Sequence, residues 1–180
     1  LGDADAGARA RALALRSELL GSLGREDEAR RNLDEASSGA EPIDDETRFE
    51  LELARLRYHV RRGDLDLACE IGRDLLANVP PSAERLARAL VHRELGTVYR
   101  DLGPDHADRT ERHLERAIED FELMGCPHEV ADTLRRYAQY FLLLGEDQLA
   151  RDCEDRAGAA VSRAEGRAAI IELSRKERSA

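Results

Sequence analysis

The chain's 5 histidines and 3 cysteines are the residues whose chemistry would most readily hold a metal or attack a substrate. His106 and His113 stand seven residues apart among Asp105, Asp108 and Glu111. On a helix that spacing is two turns, about 10 Å along the axis, too wide for both rings to reach one tetrahedral zinc. No His-Glu-x-x-His run sets two imidazoles one turn apart, and His59, His92 and His128 are isolated. Solvated loops and helix starts account for them, and no metal site is expected. Cys69, Cys126 and Cys153 are odd in number and form no Cys-x-x-Cys pair. They read as small buried hydrophobes in a reducing compartment, with a disulfide between two of them as the alternative.

Nucleophilic and phosphate chemistry find no motif either. A Gly-x-Ser-x-Gly elbow is absent, and the serines gather in loops and in the tail. No Gly-x-x-x-x-Gly-Lys-Ser/Thr loop occurs, and Lys176 is the only lysine. The carboxylates of Asp44-Asp45-Glu46 sit where a helix N-terminus favours negative charge. Arg62-Gly63-Asp64 matches a cell-adhesion tripeptide but falls at a helix–helix turn. The expectation is a protein that is not an enzyme and carries no cofactor.

Length and charge narrow the classes further. A chain of 180 residues holds one domain or a short repeat array. Its net charge of −10 argues against a general nucleic-acid surface, which needs positive charge to meet phosphates. With 42% hydrophobic residues it can bury a core, so disorder throughout is excluded. No apolar run approaches the roughly 20 residues of a membrane helix, and no signal peptide opens the sequence. A cytoplasmic location is expected. The chain opens on Leu1, which is consistent with an excised domain.

The elements that must position any site are helical. Leu23-Gly24, Arg62-Gly63, Leu102-Gly103 and Leu144-Gly145 close four apolar-periodic stretches at intervals of about 40 residues. Glycine supplies the left-handed conformation that ends a helix. Stripes at i, i+3, i+4 and i+7 follow: Leu13, Leu20 and Leu23, then Ala29, Leu33 and Ala36; Leu95, Gly96, Tyr99 and Leu102, then Ala117, Phe121 and Met124; Leu134, Tyr137, Ala138, Phe141 and Leu144, then Ala150, Glu154 and Ala157. Nine helices are predicted, at about 8–23, 25–38, 44–62, 65–78, 82–103, 105–125, 127–145, 147–163 and 166–178. Loops containing Pro42 and Pro80-Pro81 separate the first units, and Ser82 is a candidate N-cap. Pro104 to Arg112 is an insertion that either lengthens the following helix by two turns or protrudes as a loop. The last segment, with Ile170, Ile171 and Leu173 beside Arg175 to Arg178, reads as an amphipathic cap over the final repeat.

Leu95-Gly96 with Tyr99, Ala117 with Phe121, and Ala138, Phe141, Ala150 and Ala157 resemble the tetratricopeptide-repeat (TPR) signature by residue type and offset. The resemblance covers roughly residues 8 to 163. Its units run longer than the 34-residue norm, which makes them similar to the arrays of MalT-like bacterial transcription regulators and signalling ATPases. The second unit lacks the Gly-Tyr pair and its turn comes a residue early. The resemblance implies an all-α, right-handed α-solenoid: hairpins at about 8–38, 44–78, 82–125 and 127–163, then the capping helix at 166–178. It also implies a groove lined by the first helix of each hairpin. Residues carried onto that face are Arg11 and Glu18; Leu51, Tyr58 and Arg61; Arg93, Thr97 and Arg100; and Arg135, Arg136 and Gln139. The lysines and asparagines of the carboxylate-clamp form are missing there.

Arginines therefore concentrate on one face of an acidic protein. Guanidinium groups grip carboxylates in a forked geometry, which points to an acidic peptide or partner helix. The competing reading is a solvated surface laced with salt bridges, such as Asp132 with Arg135 or Arg136. The implied function is a non-catalytic protein- or peptide-binding module, the interaction or sensory part of a bacterial regulator. The alternative is a ligand sensor with an enclosed pocket lined by Tyr58, Tyr99, Tyr137 or Tyr140, switching an attached domain or a dimer. A homodimer through the exposed end helices fits either reading.

Overall fold

A computed structural model describes residues 2–39, 43–81 and 84–178, and the side chains within 6–166 of that range. The fold is all-α. Its helices are α1 (Gly2–Ser22), α2 (Glu26–Ser37), α3 (Asp45–Arg62), α4 (Leu65–Ala77), α5 (Glu84–Leu102), α6 (Ala107–Met124), α7 (Pro127–Leu144) and α8 (Asp147–Arg178). The chain divides into two compact units, Leu1–Thr110 and Glu111–Ala180, with the boundary inside α6.

Helix ends follow the predicted glycines. At Gly63, φ is 75°, and the amides of Gly63 and Asp64 donate back to the carbonyls of Val60 and His59 at 3.1 and 3.0 Å. This is a Schellman closure, which satisfies carbonyls that the ending helix would leave orphaned. The same pair of bonds closes α1 at Gly24, α6 at Gly125 and α7 at Gly145. Gly103 differs. Its φ of 109° and ψ of −178° belong to a region that only glycine occupies readily, and the chain continues into a single 3-10 turn, Pro104–His106. The insertion therefore extends α6 at its start, after that short turn, and does not protrude as a loop.

In the first unit α3 packs against α1, α2, α4 and α5. Leu51, Ala54 and Tyr58 join Ala14 and Leu20 of α1 and Ala29, Leu33 and Ala36 of α2 in one apolar cluster. Phe49, Leu53 and Leu56 join Ala68, Cys69 and Leu75 of α4 and Val91, Leu95 and Val98 of α5 in another. One helix thus serves two cores, which is why its apolar residues do not form a single stripe. Asp44 starts α3 by accepting from the Thr47 amide at 2.7 Å and from the Thr47 hydroxyl at 3.0 Å. These two bonds hold its carboxyl below the usual Asp range. In the second unit α7 packs against α8. Val130, Leu134, Tyr137 and Ala138 are buried on α7, and Ala150, Cys153, Ala157 and Ala160 on α8.

Several expectations are corrected. The segments 147–163 and 166–178 form one helix, α8, because neither Gly158 nor Gly166 breaks it; the separate capping helix does not exist. The side chains of Ile170, Ile171 and Leu173 lie outside the described residues, as does the proposed cap Ser82. On α8 the buried stripe passes through Cys153 and not Glu154, since i+3 from Ala150 stays on the packed face. Leu23 and Leu144 are exposed, the first in the turn just past α1 and the second the last residue of α7. Helix α1 starts at Gly2, well before the predicted residue 8.

Close approach of α4 to α5 depends on Gly72. A Cβ at this position would lie 2.5 Å from Leu95 Cδ2 and 2.8 Å from Leu95 Cγ, and Leu95 is fully buried. Gly→Ala within a helix ordinarily gains up to about 1 kcal/mol. Here overpacking reverses the sign: Gly72→Ala is expected to lower unfolding stability by about 1–2 kcal/mol in a urea titration, and a stabilised variant would contradict the packing.

Candidate functional site

The first helices of the hairpins carry the charged residues of interest. In the first unit these are α1, α3 and α5. Arg57 of α3 is their junction: its Nη1 donates to Glu18 Oε1 of α1 at 2.5 Å, and its Nε donates to Glu94 Oε1 of α5 at 3.1 Å. Arg93 Nε lies 3.6 Å from the same Glu94 oxygen. Burial alone would push the Arg57 pKa down; Glu94 and Glu18 more than reverse this, so it is raised and the cation persists. Glu94 is only 3% exposed, so its carboxylate depends on such neighbours. Alternating charge thus ties three helices together.

The other candidates divide between the units. Tyr58 is buried in the α1–α2–α3 cluster and not on an open face. The neighbouring Arg57, not Tyr58, is the α3 side chain that meets α1 and α5 through Glu18 and Glu94. Leu51 is buried in the same cluster. Arg61 lies against Gly21 of α1, where a side chain would strike its guanidinium, and reaches Glu26 at 3.6 Å. Arg11 pairs with Glu50 at 3.1 Å and Asp44 at 3.5 Å. On α5, Arg93 and Thr97 are buried, the Thr97 hydroxyl donates to the Arg93 carbonyl at 3.2 Å, and Arg100 meets Asp101 at 2.7 Å. In the second unit, Arg136 pairs with Asp132 at 3.2 Å, Arg135 lies 4.0 Å from Glu154, and Gln139 is exposed. The structure thus places each candidate arginine beside a carboxylate of its own chain.

Sequence reasoning proposed Glu18 and missed Arg57 and Glu94. A signal was present. Glu18 and Arg57 each stand six residues before a turn glycine, Gly24 and Gly63, so successive hairpins present opposite charges at one register position.

Three groups that could act as nucleophiles, the Cys153 thiol and the Tyr137 and Tyr99 hydroxyls, are shifted away from ionisation. Burial pushes the Cys153 thiol up. Tyr137 is raised strongly by burial and by Glu115 and Glu111, and its hydroxyl donates to Glu115 at 3.3 Å. Tyr140 donates to Glu111 at 3.1 Å, and Tyr137 stacks on Phe141 at 4.5 Å. Tyr99 is raised by burial and then by Cys69. An activated nucleophile needs the opposite shift. His59 closes the α3–α4 turn on Asp64 at 3.2 Å, and His106 lies 5.7 Å from the Tyr99 ring. Cys69, Cys126 and Cys153 are free thiols.

One concavity stands apart from these faces. A cavity of about 560 Å³ opens between the start of α3 and the end of α4, closed on one side by Val79-Pro80-Pro81. None of the four tyrosines lines it. Among the described residues, no helix is long and apolar enough to cross a membrane. No protein-family model matches this chain, and no curated protein matches it.

The charge junction has a measurable consequence. Arg57→Ala leaves Glu94 buried without its α3 partner and is expected to cost about 3 kcal/mol of stability by chemical denaturation. Arg57→Lys, which cannot reach two carboxylates through a planar fork, is expected to recover less than half of that. A loss below about 0.5 kcal/mol for Arg57→Ala would show the pairs to be ordinary solvated ones.

Proposed function

We propose that the chain is a non-catalytic protein- or peptide-binding module of the TPR-like type. Its four hairpins would build a right-handed α-solenoid that serves as the interaction part of a larger regulator. The observation that carries this reading is the recurrence of one turn chemistry. Gly24, Gly63 and Gly145 each close a helix by the same pair of hydrogen bonds, and each is followed five residues later by a buried alanine: Ala29, Ala68 and Ala150. Ala117 holds the equivalent place after the insertion that follows Gly103. Small residues at that point let the two helices of a hairpin approach closely, the device by which stacked repeats hide their seams.

Stacked helix pairs offer long, rigid faces, and rigid faces bind without a large ordering cost. Cys153, Tyr137 and Tyr99 are shifted away from ionisation, which favours binding over catalysis as their task. A partner that approaches the arginines must displace carboxylates already in place, so affinity through that face alone would be modest.

A peptide-display selection against the folded chain tests the reading. Convergent enrichment of one short motif, binding with 1:1 stoichiometry and lost on thermal unfolding, is the expected result. A selection that enriches nothing, from protein whose helical circular dichroism is intact, would contradict it.

A further inference from the structure

The concavity beside α3 and α4 has a composition unlike the arginine-bearing faces. Its floor is apolar: Phe49 and Leu75 are buried, and Ile71 and Val79 are half-buried. Its charged lining residues are Asp45, Glu52 and Asp74 against the single cation Arg48. Arg48 is turned to its own helix start, with Nη1 on Asp45 at 2.7 Å and Nη2 on the Ile43 carbonyl at 3.2 Å. Glu52 accepts from Arg55 at 3.1 Å. No described side chain pairs with the carboxylate of Asp74, whose carbonyl, not its side chain, takes the Asn78 amide at 2.9 Å. The lining is therefore negative, within a chain of net charge −10.

Geometry gives the concavity a definite capacity. Asp45, Phe49 and Glu52 recur on one face of α3, and Ile71, Asp74 and Asn78 on one face of α4. Both helices place carboxylates beside the apolar floor, Asp45 and Glu52 from the start of α3 and Asp74 from the end of α4. Pro80 and Pro81 make a stiff wall, because their φ angles are fixed. A volume of about 560 Å³ is enough for one or two large side chains and falls within the range of ligand sites.

We propose that this groove docks a basic segment of a partner protein. An aliphatic or aromatic side chain of that segment lies on Phe49, Ile71 and Leu75, and its neighbouring lysine or arginine meets Asp74 and Glu52. Charge complementarity selects this occupant. An acidic segment would face the rim carboxylates with Arg48, the one cation of the lining, already committed to Asp45 and Arg55 to Glu52, and like charges brought together oppose docking. An apolar segment without cations would leave Asp74 partly desolvated and unpaired. The proposal rests on the binding-module reading and specifies its partner, with the sign of charge opposite to that which the arginine-rich faces suggest.

The probe is a fluorescein-labelled peptide, Gly-Lys-Leu-Lys-Phe-Leu-Lys-Gly, read by fluorescence anisotropy at moderate salt. Two counterparts accompany it: one with every lysine replaced by glutamate, and one with the apolar residues replaced by serine. Saturable 1:1 binding of the first peptide alone is expected. Asp74→Lys should weaken it at least about tenfold, while Asp155→Lys, at an exposed carboxylate of α8, changes it less than about twofold. Both variants are surface changes, and unchanged unfolding midpoints would show that the fold is kept. Equal binding of the serine counterpart, equal loss in the two variants, or no saturable binding would overturn the proposal. Binding of the glutamate counterpart would also overturn it, while leaving the binding-module reading intact.

Discussion

Helix α3 is held between two apolar clusters, and the rest of the first unit depends on that double burial. Leu51, Ala54 and Tyr58 face α1 and α2, while Phe49, Leu53 and Leu56 face α4 and α5. A helix with one buried stripe can swing on its partner; one with two is fixed in rotation and in height, because a slip on either side opens a cavity on the other. Arg57 adds a polar constraint to the same helix, since its two carboxylates sit on α1 and α5. Buried charge of this kind does little for stability relative to a well-packed apolar substitute, but it penalises any arrangement in which the three groups fail to meet. Packing sets the approach of the helices, and the charges select among the approaches that packing allows.

The same constraint shapes what the surface can offer. With Arg11, Arg57, Arg61, Arg93 and Arg100 engaged by Glu50, Glu18, Glu26, Glu94 and Asp101, the faces they stand on are closer to neutral than a count of guanidinium groups suggests. The imbalance that gives the chain its charge of −10 is carried elsewhere, and the rim between α3 and α4 is one place where it gathers beside apolar surface. Binding surfaces that combine an apolar floor with a charged rim draw affinity from the first and register from the second.

Much of the helical framework was legible in the sequence, for local reasons. Gly24, Gly63, Gly103 and Gly145 end helices because no other residue takes their backbone angles cheaply, and such a preference is written at a single position. Stripes such as Leu134, Tyr137 and Ala138 state which face is buried. The second hairpin resisted because α3 has two apolar faces, and a pattern that is apolar on both sides has no single phase to read; this is how Tyr58 was placed one position from Arg57. The long α8 resisted because Gly158 and Gly166 weaken a helix without ending it, and nothing within either local sequence separates the two outcomes. The Glu18–Arg57–Glu94 contact is a tertiary fact that only the opposite charges before Gly24 and Gly63 foreshadow.

Native-state hydrogen exchange across α1 to α5 in increasing denaturant tests the shared role of α3 most directly. The amides of Phe49 to Tyr58 should open only with the whole first unit, with the same denaturant slope as Val91 to Tyr99 of α5 and Leu20 of α1. Separate slopes for the α1–α2 and α4–α5 amides, with α3 exchanging faster than either, would show that no single helix holds the two cores together.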